Sequence, residues 1–125
     1  MAVPVARYPY EAAVTAYGNG GFRFADMSHK GSILCLPAGV YAWSVTMPES
    51  LTAADFALVL NSLVPPAVLL LGTGKTQVFE SGEVAQAFSA AGIGLEVTST
   101  GAAVRTYNIM LAEKRKVAAA LIAVA

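Results

Sequence analysis

The chain has 125 residues, a length typical of one domain, so we expect a single domain over residues 1–125. Apolar residues make up 56% and charged residues only 13%, which excludes a disordered chain because such chains are polar and highly charged. The 8 basic and 8 acidic residues give a formal net charge of zero. Because nonspecific nucleic-acid binders carry an excess of basic residues, the composition predicts no nucleic-acid partner.

The numbers of cysteine and histidine residues indicate the cellular compartment and limit the metal sites that the chain can form. A lone cysteine, Cys35, cannot form an internal disulfide, and together with the single His29 it cannot supply a standard zinc site. The sequence shows no signal-peptide pattern and no uninterrupted apolar run of about 18 residues, so we expect a soluble cytoplasmic protein without direct membrane insertion. Few charges and an apolar segment at 117–125 favour burial of that segment against a second subunit in a homodimer.

The first half of the chain has the pattern of antiparallel β-structure. Asn19-Gly20 is a strong hairpin signal, because a type I′ turn needs positive φ at both central residues. Residues 27–31 are polar and are predicted as a loop. The strands predicted for this half cover residues 12–18, 21–26, 32–36 and 40–45.

The second half alternates helical patterns with short apolar runs. Thr52 begins a helix, and Asp55 at its third position is predicted to reach back to the helix start. The apolar stripe of this helix extends to Leu63, and the following Pro65-Pro66 pair ends it because proline cannot continue a helix. A second helix ends before Gly92, a residue typical of a helix C-terminus. It connects two apolar strands, which should therefore be parallel in one βαβ unit. The strands are predicted at 67–71 and 93–97, and the helix between them at 81–91.

A long last helix is predicted over residues 101–122, capped by Thr100. Its apolar stripe contains Lys114, whose side chain either extends along the apolar neighbours to water or is desolvated with a lowered pKa. Together these elements predict an α/β domain with a central mixed sheet, a βαβ unit in the C-terminal half and an antiparallel β part at the N-terminus.

Two glycine-containing segments resemble nucleotide-binding motifs without matching them. Gly74-Lys75-Thr76 resembles the end of a Walker A loop, but that motif requires glycine where this chain has Leu69. Gly18-Asn19-Gly20-Gly21 precedes a strand, whereas the dinucleotide fingerprint precedes a helix. We therefore interpret both as tight turns and predict no nucleotide and no cofactor.

Candidate catalytic residues are few. Asp26, Ser28 and His29 are the residue types of a hydrolase triad, but adjacent residues in an extended segment point in opposite directions. Cys35 alternates with leucines in an apolar strand, so we expect a buried, unreactive thiol.

One candidate site follows from topology. Ligands of parallel α/β sheets bind outside the carboxyl ends of the strands, and two such ends occur in this chain, the second of them at a helix N-terminus. Arg105 adds a full positive charge one turn into that helix. The arrangement suits a small anion or a carboxylate of a partner protein, and the competing interpretation is ordinary helix capping beside a surface arginine. The candidate residues are Gly72, Thr73, Gly74, Ser99, Thr100, Gly101 and Arg105.

Several segments also resemble a known family. The residues that carry the resemblance are 99–108, Leu111, Ala112, Glu113, Arg115, 117–121, 31–34, Leu36, Pro37, Gly39, Val40, Trp43 and 71–74. In this order they are similar to a small family of uncharacterised domains that includes the third assembly factor of mitochondrial respiratory complex I and an adipogenesis-associated protein. The fold of the family is named after a methanogen member, and the resemblance spans residues 17–122.

The resemblance implies a three-layer α/β fold, no established enzyme activity, no cofactor and protein partners. The chain departs from the family pattern at Val104, where the family often has cysteine, and at Lys114, where it often has glycine. The leading hypothesis is a non-enzymatic interaction domain of a bacterial cytoplasmic protein, and the resemblance extends this hypothesis to an assembly helper for a respiratory membrane complex. The alternative is a small-ligand domain or uncharacterised enzyme that uses the strand-end pocket near Gly72–Gly74, Thr100 and Arg105.

Overall fold

A computed structural model describes residues 5–79 and 82–125, and a mixed α/β architecture accounts for most of them. The strands are β1 (Val14–Gly18), β2 (Gly21–Phe24), β3 (Met27–Lys30), β4 (Ser32–Leu36), β5 (Gly39–Trp43), β6 (Val68–Gly72), β7 (Gly94–Thr98) and β8 (Val117–Leu121). The α-helices are α1 (Ala57–Leu60), α2 (Gly82–Ala91) and α3 (Thr100–Ala112), and two 3₁₀ turns cover Pro48–Ser50 and Ala53–Phe56.

Five strands form a mixed sheet in the order β5-β4-β8-β6-β7, and β1, β2 and β3 form a separate antiparallel sheet. Strand β8 pairs antiparallel with β4 on one side and parallel with β6 on the other. Strands β6 and β7 are parallel and are connected through α2, which confirms the predicted βαβ unit.

The mixed sheet lies between two apolar layers. Alternate residues of β8 face opposite sides, so Ala118 and Ala120 join the core beneath α1 and α2. Ala119 and Leu121 join a second core beneath α3 and the three-stranded sheet. This arrangement confirms the predicted three-layer α/β fold.

The predicted hairpin is confirmed, but the loop predicted after it is wrong. Asn19 and Gly20 both have positive φ, 51° and 79°, as the type I′ turn requires. Residues 27–31 are not a loop, because Met27–Lys30 is strand β3 and pairs with β2. The turn between these strands places Ala25 and Asp26 at φ 50° and 62° without any glycine, so the glycine pattern did not predict a turn there.

The long last helix predicted over residues 101–122 is also wrong. Helix α3 ends at Ala112, the chain turns with Lys114 at φ 60°, and the buried strand β8 follows. Alanine favours helices in isolation, but burial of all five residues of β8 between two apolar layers outweighs that preference. Lys114 is consequently exposed in a turn rather than within an apolar stripe, and most of the 117–125 segment is buried inside its own chain rather than against a second subunit.

The first predicted helix is shorter than expected. The Thr52 amide donates to the Asp55 carboxylate at 2.8 Å, which confirms the predicted reach of that aspartate back to the helix start. The helix ends at Leu60, however, and Leu63 is fully exposed instead of extending the apolar stripe.

Candidate functional site

The carboxyl ends of β6 and β7 meet, as their parallel pairing predicts. The Thr73 amide donates to the Thr98 carbonyl at 2.9 Å, and the Thr100 amide donates to the Gly74 carbonyl at 2.8 Å. The two loops of the candidate site therefore lie side by side and are joined by backbone hydrogen bonds.

Threonine side chains close the strand ends from inside. The Thr100 hydroxyl, with 0% exposure, donates to the Ile122 carbonyl at 2.7 Å and accepts from the Gly74 amide at 2.9 Å. The Thr73 hydroxyl donates to the Thr76 carbonyl at 2.8 Å and is also buried. Both hydroxyls are engaged within the fold, so neither is presented to a ligand.

Gly72 permits this closure because it has no side chain. A Cβ atom at this position would lie only 2.8 Å from the Thr100 Cα, closer than real Cβ atoms approach backbone. The close backbone approach at Gly72 serves the packing of β6 against α3.

The helix cap is one residue earlier than predicted. Ser99 precedes α3 in an extended conformation, and its hydroxyl accepts from the Ala102 amide at 3.3 Å. Thr100 is the first helical residue and its side chain points inward, so the prediction that Thr100 is the cap is wrong. Serine and threonine are both typical capping residues, so only the inward hydrogen bonds of Thr100 show that Ser99 is the cap.

A groove of about 440 Å³ lies on the outside of the closed strand ends. Four predicted residues line it: Gly74, Ser99, Gly101 and Arg105. Gly72, Thr73 and Thr100 do not line it.

Six residues outside the predicted set also line the groove, and Lys75 and Tyr17 are the largest of them. Lys75 follows the glycine turn, and Tyr17 arrives from β1, where its ring covers Gly101 so closely that a Cβ on that glycine would collide with it. The interpretation of Gly74-Lys75-Thr76 as a tight turn assigns no role to Lys75. No local pattern could place Tyr17, because it belongs to the other sheet.

The positive character of the groove comes mainly from side chains. Lys75 and Arg105 are both exposed at its rim. The amides of Thr100 and Ala102 at the start of α3 are already bonded to the Gly74 carbonyl and the Ser99 hydroxyl. An anion in the groove would therefore be attracted chiefly by the two cationic side chains.

The other candidate residues lie elsewhere in the fold. Cys35 is completely buried beside Tyr107, and burial raises the pKa of its thiol to about 12, in agreement with the predicted unreactive cysteine.

His29 alternates with Ser28 across β3, and burial lowers the pKa of its imidazole. Ser28 accepts a hydrogen bond from the Arg23 guanidinium at 3.1 Å rather than from a histidine.

Residues 5–79 and 82–125 contain neither a cluster of metal-ligating side chains nor a membrane-spanning helix. Within these ranges no group of three or more His, Cys, Asp and Glu side chains is placed to hold a metal ion. No helix within them is both long enough and apolar enough to cross a membrane.

The chain is similar to proteins of known sequence and of known structure. The chain is 29% identical over 115 residues to the mouse NADH dehydrogenase [ubiquinone] 1 alpha subcomplex assembly factor 3, covering 92% of this chain and 62% of that protein. It therefore spans less than two thirds of the mouse relative. The crystal structure of a protein from Bartonella henselae, described as an outer membrane protein, is 47% identical, with a TM-score of 0.91 over 95% of this chain and 100% of that one.

A second solved structure supports the fold assignment. A solution structure from Bordetella pertussis, described as an Mth938-like domain, is 32% identical, with a TM-score of 0.77 over 98% of this chain and 92% of that one. The profile of a family described as protein of unknown function (DUF498/DUF598) matches residues 14–122. The resemblance seen in the sequence is thereby confirmed, and the chain belongs to the DUF498/DUF598 family.

Proposed function

We propose that this chain is a non-enzymatic interaction domain, acting as one unit over residues 1–125, that helps a respiratory NADH dehydrogenase complex to assemble. The observation that carries the proposal is the relationship, over 92% of the chain, to proteins named as assembly factors of that complex. The closed strand ends are consistent with it, because the Thr73 and Thr100 hydroxyls are engaged in internal hydrogen bonds.

The partner contact proposed here is the groove outside the strand ends. Arg105 and Lys75 present two positive charges beside Gly74, Ser99 and Gly101, which also line the groove. An acidic side chain or a terminal carboxylate of a partner protein matches this charge. The two loops are held together by backbone hydrogen bonds, so a partner would meet a preformed surface with little ordering cost.

A deletion strain of the source bacterium tests the assembly role. Loss of the gene should lower the amount of assembled NADH dehydrogenase complex on a native gel, and the wild-type gene should restore it. Complementation with Arg105→Glu should fail, because the substitution reverses a charge at the groove while leaving the exposed helix surface folded. The matched control is Arg23→Glu, an exposed arginine on the three-stranded sheet. An unchanged amount of complex in the deletion strain would overturn the proposal.

Small-anion binding is the second candidate, favoured by the groove of about 440 Å³ with Lys75 and Arg105 at its rim. Titration with inorganic phosphate, followed by the amide NMR signals of Gly101 and Ala102, tests it directly. Saturable shifts that Arg105→Gln abolishes would support a ligand site. A linear, unsaturated response would exclude one for this anion.

We also propose a cytoplasmic homodimer. The lone, reduced and buried Cys35 is consistent with a reducing compartment. The buried position of β8 removes the apolar segment at 117–125 as a reason for dimerisation. The outer edge of β7 has no strand beside it in the described part of the chain, and it remains as a surface that a second copy can cover. Light scattering at micromolar concentration should give a dimer mass, whereas a clean monomer mass would exclude this arrangement.

A further inference from the structure

An exposed surface at the other end of the parallel strands has no role in the proposed function. Residues 61–66 lead into β6, and Leu63 at the turn is 100% exposed while Val64 is 61% exposed. The Ser62 hydroxyl donates to the Val64 carbonyl at 3.1 Å, which shapes the turn so that two apolar side chains project from it. Leu63 buries no surface within this chain, and Val64 leaves most of its surface exposed.

A cationic turn lies beside this apolar tip. Lys114, Arg115 and Lys116 are consecutive and exposed, and they make up three of the 8 basic residues of the chain. The Ala67 amide donates to the Lys116 carbonyl at 2.8 Å, which fixes the two loops next to each other. We call Leu63, Val64, Pro65, Lys114, Arg115 and Lys116 the basic–apolar patch.

The backbone of the cationic turn is strained at Lys114. Its φ of 60° lies in the left-handed region, where glycine is favoured and other residues pay a conformational cost. A positively charged residue thus occupies a position where the backbone alone favours glycine.

A recess of about 480 Å³ separates the apolar tip from the cations. The three cations line it together with Glu11, and Glu113 lies 3.8 Å from Arg115 in an ion pair whose two side chains are both more than half exposed. Such a pair is weak because water screens it, so the cations keep most of their attraction for external anions. The recess therefore combines an apolar wall with a positive excess.

We propose that the basic–apolar patch docks this protein on a membrane surface that contains anionic phospholipids. Leu63 and Val64 enter the interfacial layer, and the cations of residues 114–116 contact headgroup phosphates. Stable peripheral binding needs two signals, apolar insertion and a basic cluster, and both occur here within one rigid surface.

The shape of the patch favours a lipid surface over a protein partner. A stable protein interface buries about 800 Å² on each side, whereas only two apolar side chains project here. A projecting tip enters a fluid layer easily because the lipids rearrange around it. The patch also lies beyond the first residues of β6 and β8, opposite the groove near Arg105, so this proposal does not depend on the proposed function.

Vesicle co-sedimentation at low salt tests the proposal, with phosphatidylcholine vesicles and with vesicles of phosphatidylcholine and phosphatidylglycerol in equal parts. The wild-type protein should sediment with the anionic vesicles and stay in solution with the neutral ones. Lys114→Gly should weaken binding about fivefold, since one cation is lost, while relieving the backbone strain. Leu63→Ser should weaken it by more than about tenfold, since an inserted leucine is lost.

Two matched controls separate the patch from general surface properties. Lys30→Ser removes an exposed cation from β3, and Phe79→Ser removes an apolar side chain that is 80% exposed outside the patch. Both should bind anionic vesicles like the wild type. The proposal is overturned if the wild type fails to bind anionic vesicles, if it binds neutral vesicles equally well, or if the controls lose as much binding as the patch variants. Loss of a purified acidic protein partner by the patch variants, without any vesicle binding by the wild type, would assign the patch to a protein instead.

Discussion

The two ends of the parallel strands β6 and β8 contrast sharply. At the carboxyl end, which we call the closed end, Gly72 and Thr100 are buried and the hydroxyl of Thr100 is hydrogen-bonded inside the fold. At the amino end, the open end, Leu63 and Lys114 project into solvent. The closed end thus buries threonine hydroxyls behind the exposed Lys75 and Arg105, whereas the open end exposes apolar and charged residues together.

The contrast shows that residue type alone does not locate a surface for partners. A buried threonine with two internal hydrogen bonds stabilises the fold and has no capacity left for a ligand. An exposed leucine beside three cations contributes little to the stability of the fold, so its side chain is available to an external partner. Substitutions at the two ends should consequently affect stability very differently.

The largest loss of stability is expected for Gly72→Ala at the closed end. The new Cβ would lie 2.8 Å from the Thr100 Cα and 3.2 Å from the Leu121 side chain, so the backbone must shift. We expect the free energy of unfolding to fall by about 3 kcal/mol in urea denaturation. Gly94→Ala on β7 is the matched control, because its Cβ would have an ordinary contact of 3.4 Å with the Ala67 carbonyl oxygen. If the two variants lost equal free energy of unfolding, the close approach at Gly72 would not account for the loss.

Thr100→Val should be the next most damaging substitution. It preserves the shape of the side chain but leaves the Gly74 amide and the Ile122 carbonyl without their buried partner, at a cost of about 2 kcal/mol. Ser99→Ala removes only the cap of α3 and should cost about 1 kcal/mol. The free energies of unfolding of both variants, measured by thermal or urea unfolding, compare the buried hydrogen bonds of Thr100 with the helix cap of Ser99. A larger loss for Ser99→Ala would show that capping outweighs the buried hydrogen bonds.

Lys114→Gly at the open end should raise stability. Relief of the left-handed strain exceeds the entropy that a glycine adds to the unfolded chain, and we expect a gain of about 0.5 kcal/mol. Lys116→Gly removes the same charge at a neighbouring position that has no such strain, and it should lower the free energy of unfolding. If both variants lost stability equally, the positive φ at residue 114 would carry no strain.

The smallest effect is expected for Leu63→Ser. The side chain is completely exposed, so the free energy of unfolding should change by less than about 0.5 kcal/mol. Leu69→Ala in the buried strand β6 serves as the comparison and should cost about 2–5 kcal/mol. A clear destabilisation by Leu63→Ser would reveal that the tip packs against the fold after all.

Local patterns predicted those parts of the fold that depend on neighbouring residues. The Asn19-Gly20 turn, the capping contact of Asp55 and the βαβ unit around α2 all follow from short-range chemistry. Strand β8 could not be identified in this way, because a short apolar run rich in alanine fits a buried helix and a buried strand equally well. The choice depends on the two apolar layers that enclose the strand, and distant segments of the chain supply them.

The candidate site was predictable to a similar degree. Parallel topology correctly placed the two loops side by side, since it needs only the order of strands and helix. The direction of each side chain was not predictable, and Thr100 turned inward while Ser99 took the capping position. Lys75 and Tyr17 complete the groove through contacts that only the folded chain defines.

The central position of β8 has a consequence for folding during synthesis. Strands β4 and β6 are joined in the sheet only through β8, which is translated after every other strand. Until residues 117–121 have left the ribosome, each of those two strands exposes an unpaired edge that can associate with other nascent chains. We therefore expect the sheet to close only after β8 has emerged, at a rate limited by long-range closure, and a chaperone to protect the two open edges in the interval.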